Sequence, residues 1–286
     1  MEIIETQILK YIDRLYDVDY LAGIVTSVSL QELCQTIEKL LQCEDNETVA
    51  LTGLFIRDLV LCGNHHPDCK EFIENYPQSS VVKKLEELVS SPNCFTSYQA
   101  IYSLGKTCSY SSINTLNKAF TQLRDTAPLI LPRLVAEMSW LGAENIWELL
   151  DSMLDSQIYT TRWSVLNILG EFIGDEPSLE DELFQHKWRY FDRLRQDSNP
   201  YVRAEAEYEY QLLNFRLKGK KLARAERKQR MKHLQRTYEP VLRFNNISVA
   251  FTNDLSKQEL TRYSIEELEA FIEDIAQKES FFCLKE

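Results

Sequence analysis

Asn145-Ile-Trp-Glu-Leu-Leu-Asp-Ser-Met-Leu154, then Asp155-Ser-Gln-Ile158, then Thr160-Thr-Arg-Trp-Ser-Val-Leu-Asn-Ile-Leu-Gly-Glu-Phe-Ile173 is a helical hairpin written in sequence. Apolar side chains fall at 146, 149, 150, 153 and 154 in its first half and at 165, 166, 168, 169, 172 and 173 in its second. Both sets follow the 3.6-residue period of a helix with one buried stripe. The four residues from Asp155 to Ile158 leave room only for a tight turn. A pair this short has too little core of its own and must stack on a neighbour.

The same unit recurs on both sides. Upstream, helices are expected at 29–42 and 48–62, at 80–90 and 95–104, and at 112–123 and 128–141. Downstream, a fifth pair is expected at 179–196 and 200–217. Spacings of 30–40 residues fit a helical repeat array. Gly63-Asn64, Gly105 and Gly142 are expected to stop the second helices of their pairs, the first as a left-handed C-cap. Residues 2–16 form an amphipathic capping helix with Ile4, Ile8, Tyr11, Ile12 and Leu15 on one face. Residues 17–28 read as a connector or short helix, and Asn64–Gln78 as an irregular insertion.

Composition agrees with helices. Only 8 Gly and 8 Pro punctuate 286 residues, fewer than α/β nucleotide-binding folds or β-sandwiches need. The formal net charge of −12 argues against whole-surface attraction to nucleic acid or anionic membrane. Seven scattered Cys, an odd number, suit reduced thiols rather than a disulfide framework. The acidic start, Met1-Glu-Ile-Ile-Glu, lacks the bases of a signal peptide. No apolar run reaches the ~20 residues of a membrane span. A cytoplasmic protein without membrane contact is expected.

Asp197-Ser-Asn-Pro-Tyr-Val-Arg-Ala-Glu-Ala206 in the fifth unit resembles the HEAT-repeat pattern, including the short variety of phycobilin-lyase-type proteins. There an Asp in the turn precedes Val-Arg and a small residue on the second helix. Asp155 with Thr161-Arg162, and Asp125 with Arg133 before Ala136, are weaker copies. The first two units lack Val-Arg at that place. The resemblance covers roughly residues 30–215 and implies an all-α fold, a right-handed α-solenoid of about five helical hairpins over 1–215. The turn Asp would accept from the free amides of the second helix, and the Arg would reach the Asp of a neighbouring repeat. Leu141-Gly142 and Leu169-Gly170 match the small-residue position that lets helices approach.

After Phe215 the composition changes. Residues 216–236 hold ten Lys/Arg against the single acid Glu226. Polar nearly all round, part of this 216–239 segment should project into solvent. In 240–286, Leu242, Phe244, Ile247, Val249 and Phe251 alternate around Asn245-Asn246 as a β-hairpin would. Ser264-Ile-Glu-Glu267 then opens a helix to about Gln277 with a capping box.

Candidate binding groups fall into two sets. Arg133, Arg162 and Arg203 recur on second helices, and with Trp163 and Tyr210 they are candidates for a protein partner, since Arg and aromatics anchor interfaces. The competing reading is a structural ladder in which turn acids occupy the guanidiniums. The second set is Lys218, Lys220, Lys221, Arg224, Arg227, Lys228, Arg230 and Lys232. They suit phosphates of nucleic acid, an acidic protein, or the protein's own acids, since residues 259–286 carry eight Asp/Glu against three Lys/Arg.

Catalytic signatures are missing: no Gly-rich phosphate loop, Gly-x-Ser-x-Gly, His-Glu-x-x-His or Cys-x-x-Cys occurs. Cys62-Gly-Asn-His-His-Pro-Asp-Cys69 gathers two Cys and two His in eight residues, yet adjacent histidines and Cys-x6-Cys fit a tetrahedral site poorly. Glu171, Asp175 and Glu176 read as a helix end and a solvated loop. No metal, cofactor or catalytic residue is expected. The function expected is a non-enzymatic scaffold, adaptor or assembly chaperone. Alternatives are nucleic-acid binding through 216–236 and the bilin lyase activity that the resemblance brings with it.

Overall fold

The structure is a computed structural model that describes residues 2–105, 110–171 and 182–238. Within them all regular structure is helical and no strand occurs. The hairpin expected at 242–251 and the helix expected at 264–277 lie outside the described residues. The chain divides into two compact units, Met1–Leu150 and Asp151–Glu286.

The first unit holds α1 (Glu2–Leu9), α2 (Val18–Thr26), α3 (Leu30–Leu41), α4 (Asn46–Cys62), α5 (Lys70–Asn75), α6 (Ser80–Leu88), α7 (Cys94–Gly105), α8 (Ile113–Leu123) and α9 (Leu131–Trp140). α10 (Ile146–Leu154) carries the chain into the second unit, which holds α11 (Tyr159–Glu171), α12 (Glu182–Leu194), α13 (Pro200–Lys218) and α14 (Arg224–Thr237).

Four helix starts are fixed by side-chain capping. Asp17 accepts from the Tyr20 amide and opens α2. Ser29 and Glu32 form a reciprocal capping box on α3, satisfying two otherwise free donors. Asp45 takes the amides of Glu47 and Thr48. Asn199 takes those of Tyr201 and Val202, with Pro200 in the first turn of α13, where its missing N–H costs nothing.

In the first unit, α3 pairs with α4, α6 with α7, and α8 with α9. The second members also pack on one another, α4 on α7 and α7 on α9, while α3 packs on α6. Leu33, Ile37, Leu40 and Leu41 of α3, Phe55, Ile56 and Leu59 of α4, Ile101 and Leu104 of α7, and Leu131, Leu134 and Val135 of α9 are buried. The approach of α7 to α9 needs Gly105: a Cβ there would lie 2.6 Å from Cβ of Glu137. In the second unit α13 is central, in contact with α11, α12 and α14. α14 docks by Leu234 and the following Tyr238 onto Ala204 and Tyr208. The stretch Arg224–Gln229 stays exposed, as its polarity leads one to expect.

Four local expectations are corrected. The N-terminal helix tightens to a 3-10 turn at Lys10–Arg14, so its apolar face rotates. Ile4, Ile8 and Tyr11 are buried, but Ile12 and Leu15 are exposed. Gly63 is no left-handed stop: at φ −63° it leads straight into a 3-10 turn. The insertion at 64–78 is helical, built of 3-10 turns around α5. Gly170 faces open space and permits no close helix contact. Gly142 does end its helix, at φ 82°, although it lies beyond the last turn of α9 rather than at a helix crossing.

Candidate functional site

In the first unit, guanidinium and aromatic groups from different helices alternate in one row. Tyr102 of α7 lies between two cations. The Arg57 guanidinium carbon of α4 is 5.4 Å from its ring centroid, and that of Arg133 of α9 is 4.2 Å away. Arg133 also lies 5.8 Å from the ring of Trp140, seven residues on and so on the same helix face. At the other end, the Tyr16 amide donates to Tyr11 Oη at 2.9 Å, and Tyr11 Oη donates to Asp58, the carboxylate paired with Arg57. Tyr16 is 62% exposed and Trp140 57% exposed.

Each cation has a carboxylate beneath it. Arg57 Nε donates to Asp58 Oδ1 at 2.7 Å, and Asp58 Oδ2 also accepts from Tyr11 Oη at 3.0 Å. Arg133 Nη1 donates to Glu137 Oε1 at 3.1 Å, and its Nε donates to Tyr98 Oη at 3.3 Å. Asp58 and Glu137 are fully buried. Burial works against the Arg133 charge, but Tyr98 and Glu137 outweigh it, so its pKa stands above the ordinary guanidinium value. Two cations over two anions leave the row formally neutral. Guanidiniums stacked on rings and held from below are rigid, and each such stack contributes ~0.5–2 kcal/mol.

Of the expected partner-binding residues, Arg133 alone belongs to this row. Arg162 is a rung of the expected ladder: its Nε and Nη2 donate to both Asp197 oxygens at 2.6 and 2.8 Å, and its Nη1 donates to the Ser156 carbonyl at 2.8 Å. Arg203 Nη1 donates to the Asp197 and Ser198 carbonyls at 2.7 and 2.8 Å, tying down the same turn. Asp155 is taken by Arg193 of α12, and Asp125 by its neighbour Arg124. Trp163 corrects the sequence reading, because at 0% exposure it offers no surface to a partner. Its Nε1 donates to the Glu205 carboxylate. Tyr210 is half-buried, with the Arg195 guanidinium 3.9 Å from its ring centroid and the Trp188 ring at 4.3 Å.

A cleft of about 590 Å³ opens beside Arg162, with Arg189 and Arg193 on its wall. It is no anion site, since Arg193 pairs with Asp155 and Arg189 faces Asp151 at 3.7 Å. In the Cys62–Cys69 segment, Cys69 is buried and His65 exposed. His66 Nδ1 accepts from the Asp68 amide. These side chains do not converge.

In the basic stretch, Lys218, Lys221, Arg224, Arg227, Lys228 and Lys232 are exposed, and Arg230 is half-buried with an ion pair to Glu226 at 3.1 Å. The Lys220 side chain lies outside the described residues. Nothing in the sequence singles out Tyr16, Arg57 or Tyr102, whereas Trp140 belongs to the aromatic residues that make the later repeats candidates for an interface. A Tyr and an Arg on consecutive second helices was the only available signal.

Glu209, on α13, carries a titration worth measuring. Burial pushes its carboxyl up to about 7, against the pull of Arg216 and Lys187. With the folded value above the unfolded one, the folded protein holds the extra proton. That contribution is complete below pH ~4.5 and is lost as pH rises through about 7. Glu209→Gln should remove a loss on the order of 2 kcal/mol between those limits, seen as a flatter plot of unfolding free energy against pH. Parallel plots for the two proteins would refute the assignment.

Comparison with protein-family models, with curated proteins and with solved structures gives no match to this chain.

Proposed function

We propose that this chain is a non-enzymatic interaction protein, a right-handed HEAT-like α-solenoid of about five helical hairpins. It serves as a scaffold, adaptor or assembly chaperone. Its protein partner sits on the exposed Tyr16 and Trp140 and the half-buried Tyr102 and Arg133, while the buried Arg57 backs the Tyr102 ring. The supporting observation is the neutralisation of that row from beneath by Asp58 and Glu137. Guanidiniums already matched by buried carboxylates make poor phosphate ligands, whereas rigid Arg and aromatic surface is what anchors protein interfaces. The free thiols of Cys34, Cys43, Cys62 and Cys69 suit a reducing, cytoplasmic setting. No helix among the described residues is long and apolar enough to cross a membrane.

The test is quantitative affinity capture with the wild type, with the Tyr16→Ala/Trp140→Ala double variant, and with Ile158→Ala as an exposed control. Loss of two anchors of ~2 kcal/mol or more each should reduce recovery of the bound protein at least about tenfold. The control should retain it. Equal recovery by all three proteins would end this reading.

A further inference from the structure

Along α14, Arg224, Lys228, Lys232 and Arg236 stand four residues apart and therefore form one row on the helix surface. All four are exposed. None makes an ion pair or hydrogen bond among the described residues, where the helix's single acid, Glu226, is taken by Arg230. Three successive like-charge pairs at this spacing destabilise a helix. The helix also gains little from packing: Leu234 is its one buried residue, and fourteen residues are marginal alone. A row that weakens its own helix, left without acids from the rest of the described fold, is built for an external polyanion.

We propose that this row binds the phosphate backbone of a nucleic-acid duplex, independently of base sequence. It extends about 18 Å, twelve residues at the helical rise, along which duplex DNA presents a charge roughly every 1.7 Å. Ala225, Gln229 and Gln235 border it. A protein interface would call for an apolar, aromatic-rich centre and few lysines, and a single strand for aromatic side chains on which bases stack. Neither is present on the row. The overall negative charge does not forbid this contact, because acids more than ~10 Å away are screened at 0.1 M salt.

Fluorescence anisotropy of a labelled random-sequence duplex with the full chain tests the proposal. Four phosphate contacts give a slope of about −3.6 in log affinity against log salt, or roughly 150-fold weaker binding from about 50 to 200 mM. The quadruple variant Arg224→Gln/Lys228→Gln/Lys232→Gln/Arg236→Gln should lose the binding and the slope while keeping its helical circular dichroism, since only repulsions are removed. No binding by the wild type at low salt, or unchanged binding by the variant, would overturn the proposal. So would equal or tighter binding of a polyglutamate peptide, which would mark the row as a docking face for an acidic protein. A single strand bound more tightly than the duplex would refute the duplex assignment.

Discussion

Trp163→Ala should lower the stability of the second unit by about 3–5 kcal/mol, the range for removing a buried tryptophan. The side chain is completely buried in α11, its ring centroid 6.2 Å from that of Tyr201 on α13. Its Nε1 and Tyr201 Oη both donate to the Glu205 carboxylate, the latter at 2.7 Å. Truncation therefore opens a cavity and takes a donor from a carboxylate that is itself 1% exposed. Trp163→Phe separates the two effects. It keeps most of the apolar volume and loses the donor, and should cost about 1–3 kcal/mol. Urea unfolding followed by hydrogen exchange in α11 and α13 reads both variants. An alanine variant within ~1 kcal/mol of wild type would mean that the side chain is not the keystone of this core.

Asp197→Ala should be the second large loss, about 3 kcal/mol, because it strands a cation in a nearly buried pair. The Arg162 side chain is 13% exposed and the Asp197 side chain 5%. Asp197 Oδ1 also accepts from the Asn199 amide at 2.8 Å, so the turn before α13 loosens with it. Removing both partners should cost less than removing one. In the cycle of Asp197→Ala, Arg162→Met and the double variant, we expect a coupling of at least about 1 kcal/mol. Additive losses would show that the pair contributes no interaction of its own.

These two sites show what the residue pattern conveyed and where it failed. Arg162 and Asp197 are 35 residues apart, one repeat, and the rung between them follows from the turn-Asp and second-helix-Arg register. Trp163 lies one position away and was misjudged. Its polar neighbours Arg162 and Ser164 suggested a wet face. Yet α11 also buries Thr161 and Ser164, as a helix packed against others on several sides will do. Hydrophobic periodicity assumes a single buried stripe and fails for such a helix. The alternating row of the first unit was invisible for a different reason. Arg57, Tyr102 and Arg133 meet only because α4, α7 and α9 pack consecutively, and no local pattern encodes that register. The caps that Ser29 with Glu32, and Asn199 with Pro200, supply are local signals a sequence makes legible, although they are not among the expectations above. The 3-10 tightening after Leu9 was not legible, since no proline or glycine marks it.

Tyr16 sits at φ 64°, a conformation that glycine adopts freely and that is a genuine outlier for a bulky residue. Its amide donates to Tyr11 Oη at 2.9 Å, so the turn is held in place while the ring stays in solvent. A lineage selected for heat resistance alone would have every reason to exchange this tyrosine for glycine. On the partner-binding role proposed above, lost recognition is what would restrain it. Position 16 is thus a place where backbone stability and the proposed partner-binding role pull in opposite directions.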